Sequence, residues 1–539
     1  MTNFHISFNS RRSNIIGQHG MVATSQPLAV QAGIDILRAG GNAIDAAIAT
    51  VATLCVTEPC STGIGGDAFA LIWSADEQRL LGINASGPSP KALTAKHVRE
   101  LGHTTFPALG GLAVTVPGAV RGWEIALNKF GSLPLERILS SAINYAKNGY
   151  PVSERIAWQW QRSQEKMSKH ADSKRVWLPF EGGRGPNPGE MFSNPEVAAT
   201  MQKIVDDGYD ALYTGDIARQ IADTVQADGG FLTTEDLAKY RAEWVEPISV
   251  EYRPGYRFFE IPPNGQGLTA LLALNIMKGF DVRAMGHGTY EYTHTMMEAV
   301  KLAFADAHAY IADPKHAQIP LAQLLSQSYT DHRRGLIDSR MALTPTPGQP
   351  QQHGDTVYLT VADEDGNMVS WIQSLYMGFG SGLTAGNTGV QLQNRGANFT
   401  LEEGHPNEAA GGKRPFHTII PGFITKDDKA FASFGVMGGF MQPQGHLQVG
   451  SALVDFGMSP QAALDAPRFY WQKDKLVALE NSFGERMYEE MRLRGHNIMP
   501  WSQAETLHYG GGQAIIRDPE SGVYVGGSEP RTDGQAAGY

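Results

Sequence analysis

The spacing of apolar positions predicts mostly helices in the first part of the chain. From Ser25 to Val56 it predicts two Ala-rich helices, with Gly40-Gly41-Asn42 as the break between them. The continuous apolar run from Ala68 to Trp73 predicts a strand. Further helical stretches are predicted at residues 133–148, 196–225, 268–278 and 290–312. The first part of the chain is therefore helix-rich, with a buried strand near its start.

The helix predicted at residues 290–312 carries histidine and charged residues on one face. His294, Glu298 and Lys301 recur at intervals of three and four residues, which places them on the same side of the helix. His294 and Glu298 are residue types that bind zinc, but the sequence offers no obvious third ligand. We therefore predict a surface or packing role for this face and no metal site.

The pattern changes to strands after a polar linker. Residues 344–354 read TPTPGQPQQHG, with three prolines and no apolar periodicity, which indicates an exposed connection. Val357 to Val361 then predicts a strand, and Asp363 to Asn367 predicts a turn into a second strand, Met368 to Ile372. Later strands are predicted at residues 389–393, 419–425, 430–436, 514–517 and 523–526, and later helices at 444–455, 459–465 and 483–494.

Composition narrows the class of protein. At 539 residues and 42% hydrophobic, the chain exceeds what one core usually covers, so we expect an α/β body built from two closely joined parts. The net charge of −11 argues against nucleic acid or an anionic membrane as a partner. The stretch from Ala43 to Val56 is too short to span a bilayer and contains Asp45. The N-terminal sequence has no apolar signal region, so a cytoplasmic protein is predicted, with Cys55 and Cys60 as buried reduced thiols.

The junction of linker and hairpin carries a candidate nucleophile. Cleavage between Asp355 and Thr356 would make Thr356 a new N-terminus. An N-terminal threonine supplies both a hydroxyl nucleophile and its own general base, because its α-amine titrates near ~8. Taken alone, an Asp-Thr pair before a strand is more often an ordinary loop-to-hairpin junction.

Ten sequence blocks resemble the γ-glutamyltranspeptidases (glutathione hydrolases), a family of N-terminal-nucleophile hydrolases. The blocks occur in family order over nearly the whole chain: GGNAIDAAIA (40–49), EPCSTGIGGDAFAL (58–71), VPGAVRGW (116–123), PPNGQG (262–267), EAVKLAFADAHAYIADP (298–314), GDTVYLTVADEDGN (354–367), GKRPFHTIIP (412–421), MGGFMQPQ (437–444), APRF (466–469) and the terminal GGSEPRTDGQAAGY. The resemblance implies a four-layer αββα sandwich that cleaves itself at Asp355/Thr356.

The same resemblance implies how the mature protein is built and how it works. Residues 1–355 would form a large subunit and residues 356–539 a small subunit, sharing one structural unit, with a dimer of such heterodimers as one possible assembly. No cofactor is implied. Thr356 would attack an amide carbonyl, Ser374 would contact its amine, and the Gly438-Gly439 pair would bind the oxyanion. The loop Gly63 to Asp67 precedes a strand, so it fits a tight turn near the active site better than a phosphate loop.

The substrate-binding positions depart from the family pattern. The loop of residues 84–90, where the family has an arginine for the glutamyl carboxylate, contains none, and Asn398 replaces the aspartate that binds the α-ammonium. Arg395 is a new positive charge nearby. The remaining substituted positions are Tyr376, His417 and Thr418. Charge matching therefore favours an acyl group that carries a carboxylate but no α-ammonium, although an arginine more often pairs with a structural carboxylate.

Several functions remain open on the sequence alone. Two branches that the family resemblance suggests act on carboxylate-bearing acyl groups, namely oxamate amidohydrolases and glutaryl-type cephalosporin acylases. Because Tyr376 and His417 would make the pocket smaller, the small oxamate-like substrate is favoured. Hydrolysis or transfer of γ-glutamyl compounds such as glutathione is the first alternative. An uncleaved binding or scaffold homologue is the least favoured one, because Thr356 and Ser374 are both retained.

Overall fold

Two stacked antiparallel sheets form the centre of the molecule, with helices on both outer faces. The computed structural model describes residues 12–345, 355–500 and 509–539. Within them, sheet I has the strand order β19-β2-β10-β11-β3-β4-β7 and sheet II the order β1-β18-β17-β13-β12-β9-β8. The layers are helices, sheet I, sheet II and helices, which is the αββα sandwich that was predicted.

The elements have the following bounds. The strands are β1 Ile15–Gly17, β2 Gly20–Thr24, β3 Asp67–Ser74, β4 Arg79–Ala85, β5 Tyr150–Pro151, β6 Met191–Phe192, β7 Glu243–Val245, β8 Ile248–Arg253, β9 Tyr256–Glu260, β10 Asp355–Asp363, β11 Met368–Tyr376, β12 Gly422–Lys426, β13 Lys429–Met437, β14 Phe469–Lys473, β15 Leu476–Leu479, β16 Asn497–Ile498, β17 Gly511–Arg517, β18 Tyr524–Ser528 and β19 Gln535–Gly538. The helices are α1 Pro27–Arg38, α2 Ala43–Thr57, α3 Ala95–Glu100, α4 Ala119–Phe130, α5 Leu135–Asn148, α6 Glu154–Arg162, α7 Gln164–Met167, α8 Ala171–Trp177, α9 Pro195–Asp207, α10 Asp210–Tyr213, α11 Gly215–Ala227, α12 Thr234–Lys239, α13 Gly267–Lys278, α14 Val282–Met285, α15 Tyr290–Tyr310, α16 Leu321–Leu324, α17 Gln327–Arg334, α18 Met441–Val454, α19 Pro460–Asp465 and α20 Glu485–Leu493.

Strand β3 explains why its sequence is apolar without alternation. Phe69 and Leu71 face sheet II, where they join the core between the sheets. Ala70 and Ile72 face the other way, into the core under α1 and α2. A strand covered on both faces must be apolar on both, so the continuous run predicted a strand correctly. On the far side of the molecule, α13 and α18 cover sheet II.

The first two helices have the predicted break. Helix α1 ends at Arg38 and α2 begins at Ala43, after Asn42 caps the new helix with its side chain. Gly40 lies between them at φ +87, a conformation that favours glycine. Every residue of α2 is buried, because α1, α5 and sheet I surround it.

The predicted hairpin is confirmed and lies in the middle of sheet I. Strand β10 pairs with β2 on one side and with β11 on the other, and β11 pairs with β3. Strand β13 of sheet II packs across this hairpin, where Thr360 donates a hydrogen bond to Ser433 at 2.7 Å. Both sheets therefore contain strands from before and from after residue 356.

Some sequence predictions need correction. Residues 389–393 do not form a strand, because Gly389 has φ +68 and only Gln391 and Leu392 form isolated bridges, each to a loop segment. The helical stretch 196–225 is three helices, interrupted at Gly208, which has φ +85, and at Thr214. The linker before residue 355 lies outside the described residues.

Two expectations from composition can also be compared with the structure. Cys55 and Cys60 are both buried and form no disulfide within the described residues, in agreement with the prediction of buried thiols. Among the described residues, none of the helices combines the length and the apolar character needed to cross a membrane.

Candidate active site

Thr356 lies at the start of β10 in a bulge of the central hairpin. Asp355 pairs with Tyr376 and Val357 pairs with Gln373, so the register shifts across Thr356. The Thr356 side chain is buried, and its Oγ1 donates to Ser374 Oγ at 3.2 Å. In the uncleaved chain the Thr356 nitrogen is a peptide N–H, and cleavage after Asp355 would turn it into an amine.

Ser374 is held in place beside the threonine by backbone contacts. The Tyr376 amide donates to Ser374 Oγ at 2.7 Å, and Tyr376 itself has φ +82, which is unusual for a residue with a side chain. A Cβ on Gly66 would lie 2.4 Å from the Ser374 carbonyl oxygen, so only glycine fits there. The loop Gly63 to Asp67 is thus a tight turn against the candidate site, as predicted.

Arg395 is buried with an incomplete set of hydrogen bonds. Its Nη1 donates to Thr418 Oγ1 at 2.7 Å, and its guanidinium lies 4.4 Å from the centre of the Tyr376 ring. Within the described residues, Nε and Nη2 of Arg395 have no hydrogen-bond partner. Burial lowers the pKa of Arg395 to about 10, so the side chain is still charged at neutral pH. A buried guanidinium with two unused donors can accept a carboxylate.

Asp67 is a buried acid whose charge interacts with that of Arg395. The sequence did not indicate that it is a site residue. Its carboxylate accepts hydrogen bonds from the Gly87 amide and from Gln393 Nε2, both at 2.9 Å. His417 Nε2 lies 3.1 Å from the other oxygen. Burial raises the pKa of Asp67 to about 7 against the opposing field of Arg395. Burial lowers the pKa of His417 well below its usual value, so the imidazole is neutral. We use the name Arg395 cluster for Arg395, Asp67, Tyr376, His417 and Thr418.

The glycine pair lies between β13 and α18. Gly438 has φ +126 and Gly439 has φ +60, which lets the chain turn from strand to helix in three residues. Neither amide N–H donates to another described residue. Gln266 Nε2 bonds the Gly439 carbonyl at 2.9 Å and also the Thr418 carbonyl, which ties this turn to the Arg395 cluster. Two free amides at the start of a helix are suited to bind an oxyanion.

Asn398 faces a separate space rather than the arginine. It ends the short 3-10 turn that begins at Arg395, and within the described residues its Nδ2 has no hydrogen-bond partner. It borders a half-open cavity of about 930 Å³, here called the aromatic cavity. The wall of the cavity also includes Phe106, His308, Phe399, Phe416 and Phe440, but neither Thr356 nor Arg395.

The face of α15 that carries His294 and Glu298 is buried, so the predicted surface role is wrong and the packing role is right. His294, Glu298 and Lys301 meet His496 from the C-terminal part of the chain, and we call these four residues the α15 cluster. His294, Glu298 and His496 each present one possible metal ligand atom, all within 4.8 Å of one another. The Lys301 ammonium already supplies a cation to this cluster, because it lies 2.6 Å from Glu298 Oε1 and 3.4 Å from His496 Nδ1.

The sequence missed the residues that support the site. Asn84, in the loop without arginine, donates to Asn264 at 3.0 Å and does not replace the missing charge. Asn264 and Gln266 come from the block PPNGQG, whose presence was noted without a role. The one available signal for Asp67 was a charged residue at the start of a strand that is apolar on both faces.

A buried threonine at the start of a central strand, between two helix-covered sheets, is the arrangement of the N-terminal-nucleophile hydrolases. This chain has that fold and is a hydrolase of the class that cleaves linear amides. The Gamma-glutamyltranspeptidase profile matches residues 29–539, and the chain therefore belongs to the γ-glutamyltranspeptidase family.

Its relatives differ in the activities that they are named for. The chain is 37% identical to the glutathione hydrolase-like YwrD proenzyme of Bacillus subtilis (strain 168), over 97% of this chain and 99% of that protein. It is 33% identical to the oxamate amidohydrolase proenzyme of Klebsiella pneumoniae, over 98% and 100%. The crystal structure of cephalosporin acylase from Bacillus halodurans matches with a TM-score of 0.92 at 48% identity, over 100% of this chain and 99% of that one.

Proposed function

We propose that the protein is a self-processing amidohydrolase for acyl groups that carry a carboxylate and no α-ammonium. The observation that carries the proposal is Arg395, buried and charged, with two donor nitrogens that no described residue uses. An unsatisfied buried charge is costly unless a ligand completes it. A substrate carboxylate would do so through two parallel hydrogen bonds.

Processing would come first. The Thr356 hydroxyl attacks the Asp355 carbonyl, and the C–N bond breaks as an ester forms, which frees the Thr356 amine; water then hydrolyses the ester to the Asp355 carboxylate and the Thr356 hydroxyl. The proenzyme names of the relatives support this step. Thr356→Ala should leave one full-length chain, whereas Thr356→Ser should process more slowly. Mass spectrometry of the small subunit tests the site, and a subunit that starts at any other residue would contradict the assignment.

In the substrate reaction Thr356 Oγ attacks the amide carbonyl, and its own amine accepts the hydroxyl proton. The Gly438 and Gly439 amides stabilise the oxyanion, and the amine leaves after it receives the proton. Water then hydrolyses the acyl-threonine ester to the free acid. Ser374 keeps the threonine oriented through the 3.2 Å contact of the two hydroxyl groups.

Two acyl sizes fit this chemistry. An oxamate-like substrate is favoured by the bulk of Tyr376 and His417, both of which are buried around Arg395. A glutaryl-type amide is favoured by the aromatic cavity beside the site and by the similarity to a cephalosporin acylase. The γ-glutamyl alternative lacks a charged partner for the α-ammonium, because Asn398 stands at the family's aspartate position.

A matched substrate pair tests the acyl preference. Glutaryl-p-nitroanilide and γ-glutamyl-p-nitroanilide differ in the α-ammonium group alone, and both release the same coloured amine. We expect the glutaryl compound to have the higher kcat/KM, because an ammonium beside Arg395 is repelled and loses its hydration. Ammonia release from oxamate and from glutaramate then compares the two acyl sizes. A higher kcat/KM for the γ-glutamyl compound would replace the proposal with γ-glutamyl hydrolysis.

A further inference from the structure

Gln266 joins the two parts of the candidate site that would bind opposite ends of the acyl group. Its side-chain nitrogen donates to the Gly439 carbonyl at 2.9 Å and also to the Thr418 carbonyl. Thr418 Oγ1 in turn accepts the hydrogen bond of Arg395 Nη1 at 2.7 Å. Three hydrogen bonds in series therefore connect the guanidinium assigned to the carboxylate with the glycine turn assigned to the oxyanion.

The orientation of the Gln266 amide follows from its two partners. Both partners are carbonyl oxygens, so the nitrogen of the side chain, and not its oxygen, must face them. An amide nitrogen carries two hydrogens, and each of them is used by one carbonyl. The distance between Gly439 and Thr418 therefore cannot change without the loss of one of the two hydrogen bonds.

The backbone around Gln266 is held in place as well. Its N–H donates to the His417 carbonyl at 2.9 Å, next to a parallel bridge between Gly265 and His417. The side chain is completely buried at the start of α13. Gly267 follows it in close contact with β9, because a Cβ there would lie 2.6 Å from the Cβ of Glu260. Close packing on both sides leaves Gln266 one position from which it can reach both carbonyls.

A second buried glutamine shows the hydrogen bonding of an amide with a structural role. Gln461 donates to the Ser528 carbonyl at 2.8 Å and accepts the Ser528 amide at 3.0 Å, so both ends of its side chain are paired. In Gln266 the nitrogen is paired twice, but within the described residues the buried Oε1 atom has no hydrogen-bond partner. An unpaired buried oxygen is unfavourable for stability, so stability alone is a poor explanation for a glutamine at position 266.

We propose that Gln266 is a positioning residue that sets the length of the acyl group, because it fixes the distance between Arg395 and the Gly438-Gly439 turn. This inference rests on the proposed function, since it assumes that Arg395 binds the acyl carboxylate. An acyl group of matching length reaches the guanidinium and the oxyanion donors at the same time. A misplacement of about 1 Å between reacting groups can reduce the rate about a hundredfold, so a fixed distance selects one chain length. Gln266 acts here through Thr418 and Gly439 and not through contact with the substrate.

A series of monoamides that differ only in chain length tests this role. Oxamate, malonamate, succinamate and glutaramate carry from none to three methylene groups between carboxylate and amide, and all release ammonia. We expect the wild type to prefer one length, and in Gln266→Met its advantage in kcat/KM over the adjacent lengths should fall about tenfold. Gln461→Met is the matched control, since it also removes the hydrogen bonds of a buried glutamine, and it should keep the wild-type preference even if its Tm falls. Equal losses on all lengths in Gln266→Met would overturn the proposal.

A variant must cleave itself before its activity can be measured, so Gln266→Asn is prepared in parallel. It keeps the amide on a side chain that is too short to reach both carbonyls, and the same loss of length preference is expected. If neither variant matures, the contact serves processing, and the proposal on acyl length is wrong.

A different pair of substrates separates this inference from the proposed function. If the wild type prefers γ-glutamyl-p-nitroanilide to the glutaryl compound, the proposed acyl preference fails. The role of Gln266 is then decided by γ-glutamyl-p-nitroanilide and β-aspartyl-p-nitroanilide, which differ by one methylene group. A fall of about tenfold in the ratio of their kcat/KM values in Gln266→Met would support the positioning role. An unchanged ratio would overturn it.

Discussion

The α15 cluster and the Arg395 cluster both bury a cation beside an acid and a histidine, but they differ in their hydrogen bonding. In the α15 cluster, Lys301 donates to Glu298 and to the Leu343 carbonyl and approaches His496, while the other Glu298 oxygen accepts the Leu343 amide at 2.8 Å. In the Arg395 cluster, two nitrogens of the arginine have no partner among the described residues.

The two histidines extend the α15 cluster as a chain of hydrogen bonds that all run in the same direction. Lys301 approaches His496 Nδ1, His496 Nε2 lies 2.8 Å from His294 Nδ1, and His294 Nε2 lies 2.8 Å from the Asp338 carbonyl. Each ring then donates once and accepts once, which requires both to be neutral. Burial lowers the pKa of His294 and lowers that of His496 to about 2, in agreement with neutral rings.

The comparison distinguishes a buried charge that has a structural role from one that has a functional role. A cluster whose donors and acceptors match one another has no capacity for a ligand, and it acts as a fixed link between α15, the segment around Leu343 and His496. A cluster with unused donors is stabilised further only when something binds. The difference between the two is visible in the hydrogen bonds and not in the residue types.

The largest effect is expected in the α15 cluster. Lys301→Met removes the cation but leaves the Glu298 carboxylate buried, which should lower the free energy of unfolding by about 3 to 5 kcal/mol. Urea unfolding measures this change. The control is the double variant Lys301→Met with Glu298→Leu, in which no lone charge remains and most of the stability should return. A single variant as stable as the wild type would show that this cluster is not a structural ion pair.

The second effect lies in binding. Arg395→Met should reduce kcat/KM for glutaryl-p-nitroanilide about ten- to hundred-fold, through loss of a charged hydrogen-bonding contact of ~1.5 to 3 kcal/mol. Stability should hardly change, because Asp67, whose pKa is already about 7, can take up a proton when the arginine is removed.

Two controls define the role of Arg395. Butyryl-p-nitroanilide lacks the carboxylate, so its slower hydrolysis should be nearly unaffected by Arg395→Met. Arg395→Lys keeps the charge but not the planar pair of donors, and should lie between the wild type and Arg395→Met. Equal losses on both substrates would mean that the arginine shapes the site without contacting the carboxylate.

These two clusters also show how far the sequence could lead. Thr356 and the glycine pair were predicted because each occurs in a contiguous block of the family resemblance, whereas Ser374 and Arg395 lie between the blocks. Ser374 was predicted because it keeps a hydroxyl at the family's threonine position, and Arg395 from a change of charge. The elements were predicted where apolar periodicity was strong, as in α1, α2 and the β10–β11 hairpin.

What the sequence could not supply was proximity between distant segments. Asp67 and His417 are 350 residues apart, and His294 and His496 are 202 residues apart. Residue types alone therefore suggested an incomplete pair of zinc ligands on α15 and missed His496, which joins His294 and Lys301 in the cluster. They also missed Asp67, which resembled part of a glycine-rich turn.

The third effect is a pH dependence of the Michaelis constant. Below pH about 7 Asp67 is protonated, so the charge of Arg395 is fully available to a substrate carboxylate, and above it the ionised Asp67 competes. KM for glutaryl-p-nitroanilide should therefore rise as pH increases through 7.

The Thr356 amine affects kcat instead of KM. The value of kcat should fall on the acid side, because the protonated amine, with a pKa near ~8, is no base. In Asp67→Asn the rise in KM should disappear while the acid limb of kcat remains, and an unchanged KM profile would remove Asp67 from the argument.

Metal ions are expected to have the smallest effect. They test directly whether the α15 cluster is a complete structural ion pair, in contrast to the Arg395 cluster. In the wild type the Lys301 ammonium is paired with Glu298, and a divalent ion bound to His294, Glu298 and His496 would have to compete with it for the carboxylate and break the His294–His496 hydrogen bond. Neither EDTA nor zinc should therefore shift the Tm of the wild type.

Lys301→Met removes the ammonium and leaves two imidazoles and a carboxylate, which is a zinc ligand set. Zinc should then raise the Tm of Lys301→Met, because an ion that binds only the folded state stabilises it, and the rise should be lost when His496→Gln is added. A zinc-dependent Tm in the wild type would instead identify the α15 cluster as a metal site that lysine does not fill.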